Sequence, residues 1–118
     1  MARVDLTVQV TTRAGIIPSY EAVAAASDAM CANDGATLFH IKAAAGEATL
    51  AFITPATVLS EALAIADAAG TVANGSEKLF GPFPPAIFNQ PSGADVGKIY
   101  IDTNVAISIA AVRLGSAT

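Results

Sequence analysis

The side chains able to do chemistry are few and far apart. His40 is the only histidine and Cys31 the only cysteine. A thiol–imidazole pair would therefore have to join these two across the Asn33-Asp34-Gly35 turn. A reactive thiol needs a cation or a helix N-terminus to lower its pKa. Cys31 follows an alanine-rich stretch that supplies neither, and His40 falls in mid-strand. The expectation is a packed or surface histidine and a small buried thiol. One histidine also leaves no His-based metal cluster. A Ser–His–Asp set can be assembled from the residues present, but no nucleophile-elbow pattern occurs. Asp28, Asp34, Asp67, Asp95 and Asp102 are isolated in sequence, and the last two read as turn and solvent-face residues. With no tryptophan and two tyrosines there is little from which to build a sugar platform. Walker and dinucleotide fingerprints are missing, and Asn74-Gly75-Ser76 reads as a turn rather than a glycosylation site. These residues imply a binding or structural protein, not an enzyme, with no cofactor and no metal.

Composition narrows the partners. The chain has 118 residues, enough for one domain with one modest core, 1–118. Apolar residues make up 53%, but many are alanine, so the core depends on a limited set of Val, Ile, Leu and Phe. Charged residues are only 14%, which suggests that part of the surface is covered by copies of the chain or by a partner. The net charge is −4 and the six basic residues are scattered, so no nucleic-acid partner is expected. No apolar run approaches the ~18 residues of a membrane span, so no membrane is expected either. Met1-Ala2-Arg3-Val4-Asp5 carries no apolar leader, and the lone cysteine fits synthesis in the cytosol.

The elements that would position any site are organised around residues 78–90. This stretch holds Pro82, Pro84 and Pro85, with Pro91 just beyond, and three of the five phenylalanines, Phe80, Phe83 and Phe88. Proline fixes φ and removes a backbone donor, so the stretch reads as a stiff extended crossing, neither helix nor central strand. It has two possible roles, and one segment can serve both. It can plug the end of a β-sandwich core, or it can present Phe83, Pro84, Pro85 and Ile87 to another protein at low entropic cost.

Around it, short strands alternate with turns. Arg3–Val10 alternates cleanly, with Val4, Leu6, Val8 and Val10 on one side. Thr11 to Pro18 is a turn or crossing. Ser19 to Ala32 is ambiguous: its alanines and a Ser19 N-cap favour helix on local rules. Ala36–Lys42 is a strand with Thr37, Phe39 and Ile41 on one face and Leu38, His40 and Lys42 on the other. Ala48–Thr54 follows a Gly46-Glu47 turn and is expected to pair with it as a hairpin. Ser60–Ala69 is again ambiguous between a short helix and strand. Asn74-Gly75 is a turn, and Glu77–Phe80 a strand. Lys98–Asp102 and Val105–Leu114 alternate and close the chain, leaving a mobile tail at 115–118. The sum is an all-β chain: an antiparallel, jelly-roll-like β-sandwich of about eight short strands, with room for one short helix.

Several segments in this order resemble a known group. They are Ala2-Arg3-Val4-Asp5-Leu6-Thr7-Val8-Gln9, Asn33-Asp34-Gly35 with Thr37-Leu38-Phe39-His40-Ile41-Lys42, Lys78-Leu79-Phe80-Gly81-Pro82-Phe83-Pro84-Pro85 with Asn89-Gln90, and Val105 through Leu114. The chain resembles small head proteins of tailed bacteriophages, especially those of actinobacteria, identified as capsid decoration or cement proteins. The resemblance implies strand or irregular structure in the alanine-rich stretches, where this chain's extra alanines depart from the pattern. It also implies a virion protein on the capsid exterior, assembled in the host cytoplasm. Its partners would be the major capsid protein and further copies of itself, with a trimer favoured. Candidate contacts are Phe83, Pro84, Pro85, Ile87 and Phe88 and the arm Ala2, Arg3, Val4 and Asp5. The alternatives are a head–tail connector or minor tail protein and, in another class, a carbohydrate-binding β-sandwich.

Overall fold

The computed structural model describes residues 3–25, 27–55, 57–58, 63–64 and 66–115. In chain order the elements are β1 (Val4–Leu6), β2 (Val8–Val10), β3 (Glu21–Val23), β4 (Ala29–Ala32), β5 (Thr37–Ala43), β6 (Ala48–Phe52), β7 (Thr57–Val58), β8 (Leu63–Ala64), β9 (Ala68–Val72), β10 (Glu77–Phe80), α1 (Pro85–Phe88), β11 (Lys98–Thr103) and β12 (Ile107–Arg113). Ten of these strands form two packed sheets, as the alternating short runs predict. One runs β1-β4-β11-β6-β9. The other runs β10-β5-β12-β2, with β3 also paired to β12. Among the described residues, β7 and β8 pair with each other as a separate ribbon. Both large sheets are mixed: β1 lies parallel to β4, and β2 parallel to β12.

Those two parallel pairs come from the first alternating run, which is not one strand. It breaks at Thr7, with β1 on the edge of one sheet and β2 on the edge of the other. Leu6 is buried, while Val10 is 40% exposed. A crossing chain closes that side of the sandwich, and alternation cannot reveal it, because period 2 survives the change of sheet.

The expected β5–β6 hairpin is also corrected. β5 pairs with β10 and β12, and β6 with β9 and β11. The connection after Ala43 is an arch from one sheet to the other. Gly46 (φ +123°) turns it, and its N–H donates to the Asn74 side chain of the second arch. Each strand's alternation identifies its inner face but not its sheet. β12 offers β5 a ladder of seven residues, against five in β6, and long-range pairing decides the arrangement.

The ambiguous alanine-rich stretch forms β3 and β4, not helix. β4 is hydrogen-bonded on both sides, to β1 and β11, with Ala29 and Cys31 fully buried. Two ladders outweigh the few tenths of a kcal/mol per residue that helix propensity offers. Of Ser60–Ala69, the described residues are 63–64, which form a short strand, and 66–69, which lead into β9; Ser60 and its neighbours 59, 61, 62 and 65 lie outside the described residues. The same holds for 116–118 of the expected tail, whereas the Gly115 N–H donates to the Thr11 hydroxyl.

All five phenylalanines form one chain of ring contacts through the core. Phe52 and Phe83 stack at 4.5 Å, Phe83 meets Phe88 edge-on at 4.9 Å, Phe52 meets Phe80 at 5.3 Å, and Phe39 touches Phe52 and Phe83 at 6.4 and 6.1 Å. Ile41, Leu50, Ile99, Ile101 and Ile109 pack around them. Phe80 closes the side where β9 and β10 are the two sheet edges. Its ring takes the space above Gly70, where a Cβ would stand 2.4 Å from the ring. That contact, not a turn, accounts for a glycine in mid-strand.

Candidate functional site

The proline crossing plugs the core and ties one end of the sandwich together. Gly81 takes φ +112° ahead of a cis Pro82. Phe83 then turns inward and is 8% exposed. Pro85 begins the one-turn helix α1, which corrects the expectation that no helix could form here. At the first helical position a missing N–H costs nothing. Phe88, at the end of that turn, is also in the core, at 9% exposure. Phe83 and Phe88, expected as partner contacts, are therefore withdrawn from the surface. Pro84, Pro85 and Ala86 are exposed, and Ile87 is half-buried.

Asn33 clasps this crossing to the sheet. Its buried amide donates to the Phe83 carbonyl (3.0 Å) and to Asn89 Oδ1 (2.8 Å), while its Oδ1 accepts from Gly35 N (3.1 Å). Asn89 returns two bonds, to the carbonyls of Asn33 (2.7 Å) and Gly97 (3.1 Å). Gly35, at φ +90°, lies under Pro85, which a Cβ would meet at 3.2 Å. Asp34 accepts from Ala36 N and pairs with Arg113 at 2.9 Å; these bonds, the backbone one first, hold its carboxyl below the usual range. Sequence reasoning quoted Asn33-Asp34-Gly35 and Asn89 separately and did not connect them. Asn33 and Asn89 are 56 residues apart, so no local signal in the sequence joins them.

The N-terminal arm belongs to an ordered charged face, not to a free extension. Arg3 lies over the Tyr100 ring at 4.0 Å and donates to the Ala29 carbonyl. It reaches Asp102 Oδ1 at 2.6 Å, an ion pair too oblique for an aligned hydrogen bond. Asp5 pairs with Lys98 at 2.6 Å, which holds the ammonium pKa up. Tyr100 donates to Asp95 at 2.5 Å, and that bond raises its phenol. Val4 packs against the core, and Ala2 lies outside the described residues. Asp95 and Asp102 are thus turn and outer-face residues, as expected.

The outer face of the other sheet is more apolar, which sequence reasoning missed. Leu38, His40 and Lys42 alternate outward on β5 beside Leu79 and Glu77 on β10 and Ser108, Ala110 and Val112 on β12. Pro18, Leu38, His40, Leu79 and Val112 line a cleft of ≈ 250 Å³. Leu79 is 65% exposed and Ile17, next to Pro18, is 94% exposed. Tyr20 packs against His40, with ring centroids 5.4 Å apart, under the Lys42 ammonium at 4.0 Å.

Cys31 and His40 are not brought together. Cys31 points into the core from β4, while His40 points outward from β5 in the other sheet. Burial, reinforced by Asp5 and Glu21, pushes the thiol up to about 12. Between pH 9 and that value the unfolded chain would lose the proton and the folded chain would keep it, so this thiol's contribution to stability falls as pH rises through the window. Iodoacetamide at pH 8 is expected to leave Cys31 unmodified in the native protein and to alkylate it fully in denaturant. Rapid native labelling would show that the β4 region opens.

Among the described residues no group of three or more His, Cys, Asp or Glu could hold a metal ion, and no helix is long and apolar enough to cross a membrane. No protein-family model matches the chain, and comparison with curated proteins and with solved structures finds no significant match.

Proposed function

We propose that the protein is a structural component of a phage head that binds the outer surface of the capsid and braces the junctions between capsomers. The observation that carries this reading is that the segments bearing the resemblance converge. Asn33-Asp34-Gly35 and the 80–90 crossing form one hydrogen-bonded end of the sandwich. Motifs whose shared job is to build a rigid end fit a protein whose task is mechanical. A decoration protein adds interface area across a junction, and many copies share the load even if each binds modestly. The exposed ridge Pro84-Pro85-Ala86 with Ile87 is the contact we assign to the major capsid protein, because it is stiff, apolar and short of donors.

Sedimentation with capsids of the same phage that lack the protein tests this. Saturation at hundreds of copies per shell, with greater resistance of the shell to heat, is the expected result. A Pro84→Glu variant, altered at an exposed position, should fold normally and bind fewer copies. Saturation at about a dozen copies would instead place the protein at the portal vertex as a connector. Failure to bind, with a positive glycan array, would make it a carbohydrate-binding module.

A further inference from the structure

Glu77, His40 and Tyr20 form a carboxylate–imidazole–phenol relay on the outer face of the second sheet. Tyr20 Oη lies 2.5 Å from His40 Nδ1, and His40 Nε2 lies 3.1 Å from Glu77 Oε1. One proton arrangement satisfies both contacts with a neutral ring: Glu77 accepts from Nε2–H, which leaves the Nδ1 lone pair facing the phenol. A base held against a hydroxyl by a third, orienting group is the general arrangement of an activated nucleophile. Two further features sit beside it. The Lys42 ammonium caps the Tyr20 ring at 4.0 Å and holds it in place against His40. The apolar cleft of Pro18, Leu38, Leu79 and Val112 shares His40 as a wall, so a short acyl chain lying there would bring its carbonyl carbon towards the relay. Tyr100, the only other tyrosine, is the opposite case: its hydroxyl donates to the Asp95 carboxylate, which keeps it protonated.

We propose that Tyr20 is a reactive nucleophile that takes an acyl group from activated aryl esters, with His40 as its base, Glu77 as the residue that positions His40, and the cleft as the acyl-chain site. In the step, Tyr20 Oη bonds to the ester carbonyl carbon and the bond from that carbon to the aryloxide breaks. The phenol proton passes to His40 Nδ1 and then to the departing aryloxide. Nothing is oxidised or reduced. The site is independent of any capsid contact.

The test is reaction of the full chain with p-nitrophenyl hexanoate, following nitrophenol release and mapping the acylated residue by mass spectrometry. Tyr20 is expected to be modified first, well ahead of Tyr100 and the lysines. His40→Gln should slow its acylation by about 100-fold, the usual order for a general base. Glu77→Gln, at an exposed position, should slow it severalfold without touching the fold. Hexanoate should react faster than acetate, and Leu79→Ser should remove that preference. First labelling at a lysine or Tyr100, or an unchanged rate in Tyr20→Phe or in folded Glu77→Gln and His40→Gln, would overturn the relay. Equal rates for the two esters would overturn the assignment of the cleft.

Discussion

Phe83→Ala is expected to lower the unfolding free energy by about 3–5 kcal/mol, the range for removing a buried aromatic ring. Phe83 is the centre of the aromatic chain: it stacks on Phe52 and touches Phe39 and Phe88. It also joins the crossing to both sheets, since Phe39 lies on β5 and Phe52 on β6 of the opposite sheet. Its loss leaves a cavity that a proline-stiffened segment cannot collapse to fill. For a domain of this size such a loss is a large part of the total stability. Urea denaturation of the wild type and of Phe83→Ala, with Phe83→Leu as the milder step, measures the effect. A change below about 1 kcal/mol would mean that the crossing is not a core plug, and Phe83 would return to the list of surface contacts.

Asn33→Leu is expected to be the most damaging change of similar volume, and its cost is polar. The side chain is 6% exposed and makes three hydrogen bonds. Leucine would leave the buried Phe83 carbonyl and the half-buried Asn89 Oδ1 and Gly35 N–H without these partners, at about 1–3 kcal/mol for each group that stays shielded from water. Asn33→Asp separates the roles. It keeps an acceptor for Gly35 N and loses both donations, so it should fall near Asn33→Leu rather than near the wild type. A double-mutant cycle with Asn89→Ala should return a coupling of about 1 kcal/mol or more, because each asparagine bonds to the other residue. Independent effects would show that the two ends of the clasp hold separately.

The contrast between these two positions bears on the proposed function. Phe83 and Phe88 are candidate contacts on composition because they are aromatic and lie in the stiff proline-rich stretch. Composition gives no direction, and in the structure both rings turn into the core. What remains outside is the backbone-rigid ridge 84–87. The arm residues Arg3 and Asp5 are similarly engaged, in ion pairs and a ring contact within their own sheet.

By itself the sequence determined the fold class and the inner faces of the long strands. Phe39 and Ile41 alternate with His40 and Lys42, and Ile99 and Ile101 with Lys98, Tyr100 and Asp102, and all four apolar side chains are buried. Alternation is a local property that each strand carries alone. It also determined the turn at Asn74-Gly75 and the strand entering the proline crossing. The tertiary structure decided which sheet each strand joined, that the first run splits at Thr7, that the alanine-rich stretch becomes β3 and β4, and that Asn33 meets Asn89. The juxtaposition of Tyr20, His40 and Glu77 was decided in the same way. These outcomes depend on partners from 16 to 103 residues away, and the free energy of a ladder or a buried hydrogen bond exists only once those partners are in place.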